Sequence, residues 1–562
     1  MIISRLKTGV KLSSSYLQEL FRRLFKLSSH TDESGNMLRK AFSGLWGKPR
    51  TLHSLEQLKY LHSVLSKNQT VTDSNKGLLV ETIRSIAEIL IWGDQNDSSV
   101  FDFFLERNML SFFLKFMDQK TGNNYVCVQL LQTLNILFEN IRNDTSIYYL
   151  LSNNHVNSII VHKFDFSDEE VMAYYISFLK TLSFRLNKHT IHFFYNEHNN
   201  DFPLYTEAIK FFNHSESMVR IAVRTLSLNV YKVEDDRMLK FVTDKTAAPY
   251  FSNLVWFIGN HILEIDDCVR NDADHKSINK LKDVVAEHLD HLHYVNDILT
   301  LNIDPLNRVL TDHLLNRLFI PLYIYSFART SLASEDMKPH VSPVVALFLL
   351  CQVFLIITHM PLVRLLAWII IAGDNEVFTE RGATLYTSSP RKCRVIKPSF
   401  MAPPEPLDKS LAKQLVADTD SDSEPEVEAE YTANSKVSHV TQLTRLASPF
   451  HVPAVVSSDP TCLSISDEEK HKLLAESANF CLDNRPFLAS LFSCLDFSDN
   501  DYFQLFALCL IYAMQVRPAG LSLHVLTTKF HLRSIRVSTR NCWRAYRSRH
   551  TSQRTSDSTT NF

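Results

Sequence analysis

The apolar residues between positions 52 and 330 recur at intervals of three and four residues. One such series consists of Leu55, Leu58, Leu61, Val64 and Leu65, and a second consists of Leu79, Ile83, Ile86 and Leu90. This spacing places apolar side chains on one face of an α-helix. Glycine is scarce, with 11 residues in the chain, which disfavours glycine-rich phosphate loops and tightly turned β-sandwiches. The pattern therefore predicts an all-α protein built from amphipathic helices.

A longer period is superimposed on these helices. Aromatic-rich segments that predict a helix-turn-helix begin at Phe101, Ser146 and Ile191, each 45 residues after the one before. A longer amphipathic stretch follows each segment, and a fourth copy begins at Arg237. Repeats of about 40–47 residues made only of helices are typical of armadillo and HEAT proteins. Because each repeat buries its apolar faces against its neighbours, we expect an armadillo/HEAT-like α-solenoid.

Two sequences have the form of a capping box. Ser167 precedes Glu170 by three residues, and Ser466 precedes Glu469 in the same way. In this motif the serine oxygen accepts a hydrogen bond from the third amide of the helix, and the glutamate reaches back. We expect a helix after each box, the second covering residues 467–481, with further helical sequence over 487–514.

The most apolar part of the chain lies between residues 344 and 372. A transmembrane helix needs about 20 consecutive apolar residues, and here His359, Pro361 and Arg364 interrupt the run. We therefore expect two short helices buried in the solenoid and joined near His359. The alternative is an integral membrane protein that uses this region as its span.

The composition changes after Gly373, where Pro, Ser, Thr and acidic residues become frequent. Such a segment lacks the apolar groups needed to offset chain ordering, so we expect a disordered acidic insert, and similarly a disordered tail. Ser421 and Ser423 lie among acidic residues of this insert and are candidate phosphorylation sites; a solvated spacer is the equal alternative. The predicted organisation is an ambiguous N-terminal extension (1–36), a solenoid (37–375), a linker (376–465), a helical continuation (466–528) and the tail (529–562).

The first 36 residues have two interpretations. An apolar helix face is predicted near the start of the chain, formed by Leu17, Leu20, Phe21 and Leu24, and basic residues lie beside it. This pattern resembles a transit peptide or a membrane-surface helix. An upstream extension without function, with Met37 as an alternative start, is slightly favoured.

Charge and cysteine usage exclude several functional classes. The chain has 59 Lys and Arg against 61 Asp and Glu, a net charge of −2, which argues against a dedicated nucleic-acid binder. The nine cysteines form no CxxC pair, so neither a zinc ribbon nor a thioredoxin-type site is indicated. They are interpreted as small buried hydrophobic residues of a reducing compartment.

Two histidine groups and one acidic turn are the candidate metal sites. The histidines are His189, His192 and His198 in the first group and His288, His291 and His293 in the second. Neither group has the HExxH spacing, so we interpret them as surface or groove residues. The turn over residues 93–97 lacks the glutamate of a calcium loop and is interpreted as an inter-helix turn beginning at Gly93, with Ser98 or Ser99 capping the next helix. We predict no catalytic, cofactor-binding or metal-binding residue, no cofactor and no small-molecule substrate.

Long strings of the chain resemble the FPL-domain family. They include residues 91–105, 202–214, 218–225, 251–257 and 310–317. The resemblance covers roughly residues 37–375 and resumes over 485–514. Phe202, Pro203 and Leu204 belong to the family signature, and we interpret them as structural.

The resemblance implies a role in membrane traffic. Family members support endosomal maturation, autophagy and mitophagy, and associate peripherally with late endosomes and lysosomes. A RING-type ubiquitin ligase and the lysosomal tethering machinery are the implied partners. The resulting hypothesis is a non-enzymatic, cytoplasmic adaptor. The alternative of an atypical ubiquitin-ligase component remains, although the chain has no RING pattern of cysteines and histidines.

Overall fold

A computed structural model of the chain describes residues 53–119, 124–271, 275–328, 340–378, 399–416, 485–496 and 501–516. The regular structure of these ranges is helical, apart from one isolated bridge between Asn196 and Asp201. The prediction of an all-α solenoid is therefore confirmed. The chain divides into two compact units, residues 1–150 and 151–562. The predictions for residues 1–36, 467–481 and 529–562, and for Ser421 and Ser423, lie outside the described residues.

The first unit is built around two long helices. Its helices are α1 (Leu55–Lys67), α2 (Lys76–Asn96), α3 (Ser99–Glu106), α4 (Leu110–Met117), α5 (Asn124–Asn140) and α6 (Asp144–Leu151). Helix α2 packs along α5, while α1 and α3 pack on α2 and α4 packs on α5. Leu58, Leu65, Leu79 and Ile86 of the two predicted series are fully buried between these helices. The intervals of three and four residues therefore mark the buried faces.

The second unit is likewise built from packed helices. Its helices are α7 (His155–Ile160), α8 (Glu169–Ser183), α9 (Pro203–Ile209), α10 (Ser217–Tyr231), α11 (Asp236–Phe241), α12 (Ala248–Arg270), α13 (His275–Thr300), α14 (Asp304–Leu314), α15 (Tyr325–Phe327), α16 (Pro343–Ile356), α17 (Met360–Ala372), α18 (Leu407–Val416), α19 (Pro486–Ser493) and α20 (Asp501–Val516). Helices α8 and α10, α12 and α13, and α16 and α20 form its main packed pairs.

An asparagine in the left-handed conformation marks the turn within each of three successive repeats. Asn108, Asn154 and Asn200 have positive φ angles and lie 46 residues apart. Asn108 lies between α3 and α4, and Asn154 lies between α6 and α7. In the third repeat the opening helix is reduced to one 3₁₀ turn, Ile191–Phe193. The predicted period is thus present, but the expected first helix of the third copy is wrong.

Two prolines coincide with widened helical turns. The π-helical segment Val242–Ala247 joins α11 to α12 just before Pro249, and the segment Leu315–Ile324 joins α14 to α15 and contains Pro321. Proline donates no backbone hydrogen bond, and its ring collides with the carbonyl four residues earlier in a regular α-helix. A π-type turn relieves this collision and lets the helix continue. The fourth repeat is therefore one long, locally widened rod.

The side chains that cap the helices differ from those predicted. Asp168, not Ser167, caps α8, because its carboxylate accepts from the backbone N–H of Glu170 and Val171. The predicted turn at Gly93 is also wrong, since α2 continues through Asn96. Ser98 occupies the N-cap position of α3, as one of the two predicted residues, but its side chain makes no capping hydrogen bond. The carboxylate of Asp97 instead accepts from the N–H and hydroxyl of Ser99. A carboxylate competes well for these donors because its charge strengthens the hydrogen bond.

The most apolar region forms two separate helices, as predicted. Helices α16 and α17 are joined by residues 357–359, where the backbone N–H and hydroxyl of Thr358 both donate to Asn296 Oδ1 of α13. Pro361 lies in the first turn of α17, where it is well tolerated. None of the described helices has the length and apolar character that crossing a bilayer would require.

Part of the predicted disordered linker is a helix. Helix α18 lies within residues 376–465, and its Leu407 and Leu411 are buried against α12 and the π-helical segment before it. Phe400 contacts Gly259 of α12 so closely that a Cβ at Gly259 would overlap the ring. The prediction of a uniformly disordered linker is therefore wrong for residues 399–416. A few well-spaced apolar residues are enough to dock a short helix on an existing core.

Candidate functional site

Helix α10 exposes large apolar side chains to solvent. Met218 and Ile221 are 44% and 43% exposed, whereas Val219 and Val223 on the opposite side are buried against α8 and α9. Scattered apolar residues are common on protein surfaces, but neighbouring ones on one helix face form a candidate contact surface. The C-terminal half of α13 packs beside this helix. We call the exposed faces of α10 and α13 together the α10–α13 surface.

Arg220 fixes the start of α10 to α13. Its guanidinium donates to the carbonyl oxygens of His214 and Ser215 and forms an ion pair with Glu287 of α13. The guanidinium is buried, and hydrogen bonds between charged groups are stronger than neutral ones when shielded from water. Met218 and Ile221 are therefore held on a helix whose first turn is rigidly anchored.

His261 extends this network to α12. Its Nε2 lies 3.4 Å from a carboxylate oxygen of Glu287, and its Nδ1 lies 3.1 Å from the carbonyl oxygen of Phe257. Its ring centroid is 5.0 Å from that of His291. Arg220, His261 and Glu287 thus connect α10, α12 and α13 beneath the surface. We call these three residues the Arg220 network.

His288 and His291 are core residues, so their interpretation as surface or groove histidines is wrong. Both are 0% exposed, whereas His293 is exposed. Burial lowers the pKa of His288 to about 3, with a smaller contribution from His261. Burial and the nearby Arg224 hold the pKa of His291 well below its ordinary value. Across the described ranges no group of three His, Cys, Asp or Glu side chains is arranged to hold a metal ion.

The charge on the α10–α13 surface comes mainly from α13. Asp283, Asp290 and Asp297 are exposed along this helix. Arg224 of α10 lies over the ring of Tyr294, 5.6 Å from its centroid. Burial lowers the pKa of Arg224, and the surrounding tyrosines and Asp290 partly oppose that effect. The surface therefore combines an apolar strip on α10 with an acidic edge on α13.

A polar cleft lies at the turns of the second and third repeats. Its volume is ≈ 620 Å³, and its lining includes Asn154, Asn157, Asn196 and Glu197. Most of these polar groups already take part in internal hydrogen bonds. The side-chain amide of Asn157 donates to Asn154 Oδ1 and to the carbonyl oxygen of Phe193. The side-chain oxygen of Asn196 accepts from the backbone N–H groups of residues 198 and 199. Glu197 forms an ion pair with Arg237. These internal bonds hold the turns together, although the buried Oδ1 of Asn157 accepts no hydrogen bond. We therefore interpret the cleft as a turn region and not as the candidate site.

The residues selected from the sequence lie outside the α10–α13 surface. Phe202 and Leu204 are fully buried, and Pro203 occupies the first turn of α9. His189, His192 and His198 are exposed near the third-repeat turn and are not brought together with the second histidine group. Asp94 accepts from the backbone N–H of Arg142 and Asn143, so its carboxylate fixes the chain before α6.

Sequence reasoning missed Arg220 and Glu287. A signal was present, because Arg220 interrupts the otherwise apolar face that Val219 and Val223 define on α10. A charged residue at a buried helical position needs a partner of opposite charge. The identity of that partner was not readable, since Glu287 is 67 residues away in the sequence.

Two family models match the chain. The FPL model, described as an uncharacterised conserved protein, matches residues 83–231, and the CLEC16A helical domain matches residues 276–416 and 454–533. The first match ends with α10, and the second begins at the start of α13. The two halves of the α10–α13 surface therefore come from the two matched domains.

Curated relatives share much of the sequence. The chain is 57% identical to the CLEC16A homolog of Drosophila melanogaster over 504 residues, which are 85% of this chain and 47% of the relative. It is 55% identical to CLEC16A of Mus musculus over 487 residues, covering 83% and 46%. It is also 40% identical to TRANSPARENT TESTA 9 of Arabidopsis thaliana over 316 residues, covering 55% and 37%.

The chain spans about half the length of the animal CLEC16A relatives. The chain belongs to the FPL-domain family of CLEC16A, or endosomal-maturation-defective, proteins.

Proposed function

We propose that the chain is a non-enzymatic adaptor that regulates membrane traffic between endosomes and lysosomes. In this role it supports endosomal maturation, autophagy and mitophagy by holding other proteins on its α-solenoid. Family membership supports the proposal, because the resemblance to FPL-domain proteins carries these roles. The structural observation that supports it most directly is the exposure of Met218 and Ile221 above the Arg220 network.

The α10–α13 surface suits a partner segment with apolar and basic side chains. The apolar strip contributes burial, while Asp290 and its acidic neighbours on α13 favour positive charge. The anchored start of α10 reduces the ordering that binding would otherwise require. A RING-type ubiquitin ligase and the lysosomal tethering machinery are the proposed partners, met on the cytoplasmic face of late endosomes and lysosomes.

A pair of substitutions tests this proposal. Replacing Met218 and Ile221 together by Asp should reduce recovery of the co-purified ligase and tethering proteins at least tenfold, which corresponds to about 1.4 kcal/mol or more of binding free energy. Because both side chains are exposed, the melting temperature should stay within about 2 °C of that of the unmodified protein. Crosslinking mass spectrometry on endolysosome-bound protein should place the partner peptides on α10 and α13.

The control is Val161→Asp, which places one such carboxylate on another exposed apolar residue of the second unit. It should leave partner recovery unchanged. Equal recovery from the Met218/Ile221 double variant and from this control would reject the α10–α13 surface as the contact.

A ubiquitin-discharge assay on the purified protein distinguishes a non-enzymatic adaptor from an enzymatic ligase component. Discharge that requires this chain would overturn the non-enzymatic role.

A further inference from the structure

Helix α12 has a glycine at the point where an aromatic ring packs against its backbone. Gly259 lies in the middle of this 23-residue helix, where glycine lowers helix stability relative to alanine. A Cβ at this position would overlap the ring of Phe400 and lie 3.2 Å from Cδ1 of Leu322. The glycine therefore leaves room for the ring. We call this place, together with the adjoining π-helical segment Val242–Ala247, the Gly259 groove.

Residues 399–416, which we call the clasp, fill the Gly259 groove with three apolar side chains. The ring of Phe400 lies on Gly259, and Leu407 and Leu411 of α18 are 4% and 2% exposed. Helix α18 contacts both α12 and the π-helical segment before it. One aromatic side chain and two leucines one turn apart are the kind of anchors by which an amphipathic helix binds a groove.

The polar contacts of the clasp lie within the clasp itself. The backbone N–H of Ser410 donates to the carbonyl of Pro406, and Lys413 forms an ion pair with Glu405. Among the described residues, no hydrogen bond or ion pair joins the clasp to α12. Helix α18 has ten residues, and an isolated helix of this length is unstable in water. The clasp therefore resembles a peptide that becomes helical when it docks.

The clasp does not fit the groove completely. The side-chain oxygen Oε1 of Gln414 is buried and has no hydrogen-bond partner. Gln414 follows Leu407 and Leu411 at helical spacing, so its amide lies on the side of α18 that carries the leucines. A buried amide oxygen without a hydrogen bond lowers the stability of the contact. A segment with an apolar residue at this position would therefore bind more tightly than the clasp.

We propose that the Gly259 groove is a docking site for an amphipathic helix of a partner protein, and that the clasp occupies it in the free chain. The partner helix carries three apolar residues spaced as positions 407, 411 and 414, and an aromatic residue seven positions before the first. Because the clasp belongs to the same chain, it competes at a high effective concentration. A partner must displace it, so the clasp sets the affinity that a partner needs.

This inference rests on the proposed adaptor function, because it takes the occupant to be another protein. It assigns that occupant to the Gly259 groove and not to the α10–α13 surface. The two sites can therefore be tested independently.

A fluorescent synthetic peptide of residues 399–416 tests the groove when its binding to the full chain is followed by anisotropy. Leu411→Glu in the chain should release the clasp, because it would bury a carboxylate without a partner. This variant should bind the peptide at least tenfold more tightly than the unmodified chain, whose groove is already filled. Ala412→Glu places the same carboxylate on the next residue, which is exposed, and should bind the peptide as the unmodified chain does.

Two further changes locate the bound peptide. Adding Gly259→Leu to the Leu411→Glu chain should weaken peptide binding at least tenfold, because the new side chain takes the place of the ring. A peptide with Gln414→Leu should bind the Leu411→Glu chain about fivefold more tightly than the original peptide.

The Met218/Ile221 double variant separates this inference from the proposed function. Combined with Leu411→Glu, it should bind the peptide as tightly as Leu411→Glu alone. Loss of ligase and tethering proteins without loss of the peptide would leave the groove intact as a site. The reverse result would reject the groove and leave the α10–α13 surface standing.

Three outcomes overturn the inference. Equal peptide affinities of the Leu411→Glu and Ala412→Glu chains would show that the clasp is not an exchangeable occupant. Binding that survives Gly259→Leu would place the peptide elsewhere. Self-association of the unmodified chain in analytical ultracentrifugation, abolished by Gly259→Leu, would assign the groove to a second copy.

Hydrogen exchange of the unmodified chain covers the case in which Leu411→Glu prevents folding. With a ¹⁵N-labelled chain and an unlabelled peptide, the clasp of the chain can be followed separately from the added peptide. A saturating concentration of the Gln414→Leu peptide should accelerate exchange over residues 407–416 of the chain at least tenfold, while α16 keeps its protection. Unchanged exchange over 407–416 would show that the clasp is not displaced and would reject the proposal.

Discussion

At the scale of single residues, the turns of the repeats depend on asparagine. Four of the five non-glycine residues with positive φ among the described residues are Asn108, Asn154, Asn200 and Asn302. Asparagine tolerates the left-handed region because its short amide can hydrogen-bond locally. The sequence alone did not reveal these positions, since asparagine is also frequent in ordinary loops. The left-handed conformation becomes evident only when the flanking helices fix the turn.

Asn302 offers a clean test of this conformational requirement. It lies between α13 and α14 with a φ angle of 56°, and its side chain is exposed. Asn302→Val should destabilise the second unit by about 1–2 kcal/mol, because a β-branched residue is strained at positive φ. Asn302→Gly, the matched control, should leave stability within about 0.5 kcal/mol. Denaturant unfolding measures both, and equal midpoints for the two variants would show that the turn relaxes without strain.

We expect the buried side chain of His288 to make the stability of the fold depend on pH. In the unfolded chain its pKa is near the ordinary histidine value of 6.5, whereas burial lowers the pKa to about 3 in the folded protein. The unfolded state therefore binds more protons in this interval, and stability falls as pH decreases from about 6.5 towards 3. Lowering the pH from 7 to 5 should therefore reduce the free energy of unfolding by about 2 kcal/mol through this one residue.

His288→Leu provides the comparison for this pH effect. It removes a ring with two nitrogens that have no hydrogen-bond partner, so stability at pH 7 should be equal or higher. Denaturant midpoints at pH 7, 6 and 5 should decline less steeply for the variant than for the unmodified chain. Equally steep declines in the midpoints of the variant and the unmodified chain would show that the acid sensitivity comes from other groups than His288.

At the scale of helices, apolar spacing was a better guide than polar signals. The series in α1 and α2 and the split between α16 and α17 followed from periodicity and from Pro361. Caps were misplaced because several neighbouring polar residues compete for the same amide donors, and only the folded backbone selects one. Helix α18 was missed because its burial depends on α12, which is more than 100 residues away in the sequence.

Gly259 tests the docking of α18 and its flanking residues. A Cβ at this position would overlap the ring of Phe400, so Gly259→Ala should displace Phe400 and loosen residues 399–416. We expect an overpacking cost of about 1–3 kcal/mol and faster hydrogen exchange over 407–416. Gly77→Ala is the matched control in α2, where the new Cβ meets no atom, and it should stabilise the chain by up to about 1 kcal/mol. Unchanged exchange over α18 in Gly259→Ala would show that Phe400 moves without releasing the segment.

At the scale of the whole molecule, the repeat architecture was predictable and the α10–α13 surface was not. The period of 45 residues can be read from the spacing of apolar residues along the chain. Recognising it requires no information about contacts between distant residues. The surface, in contrast, is assembled from α10, α12 and α13, and its Arg220 network joins residues that the sequence separates widely. The two histidine groups and the acidic turn over residues 93–97 were the candidate metal sites in the sequence, but the carboxylate of Asp94 in that turn accepts a backbone hydrogen bond from Arg142.

The mode of membrane association is the final prediction at this scale, and it concerns α16 and α17. At a rise of 1.5 Å per residue, the 14 residues of α16 extend about 21 Å, short of the roughly 30 Å hydrocarbon core of a bilayer. The joint between the helices is held by hydrogen bonds from Thr358 to Asn296, and Leu350 and Leu366 are fully buried in the protein. Most apolar side chains of the two helices are thus buried in the protein core.

We therefore expect alkaline carbonate to release the full chain from endolysosomal membranes into the supernatant. An integral membrane protein followed in the same extraction should stay in the pellet and serves as the control. Extending either helix across a bilayer would bury Arg364, at a cost of about 2.5–3.5 kcal/mol even on insertion-based scales. Retention in the pellet, together with protease cleavage on only one side of His359, would contradict peripheral association and restore the membrane-spanning alternative.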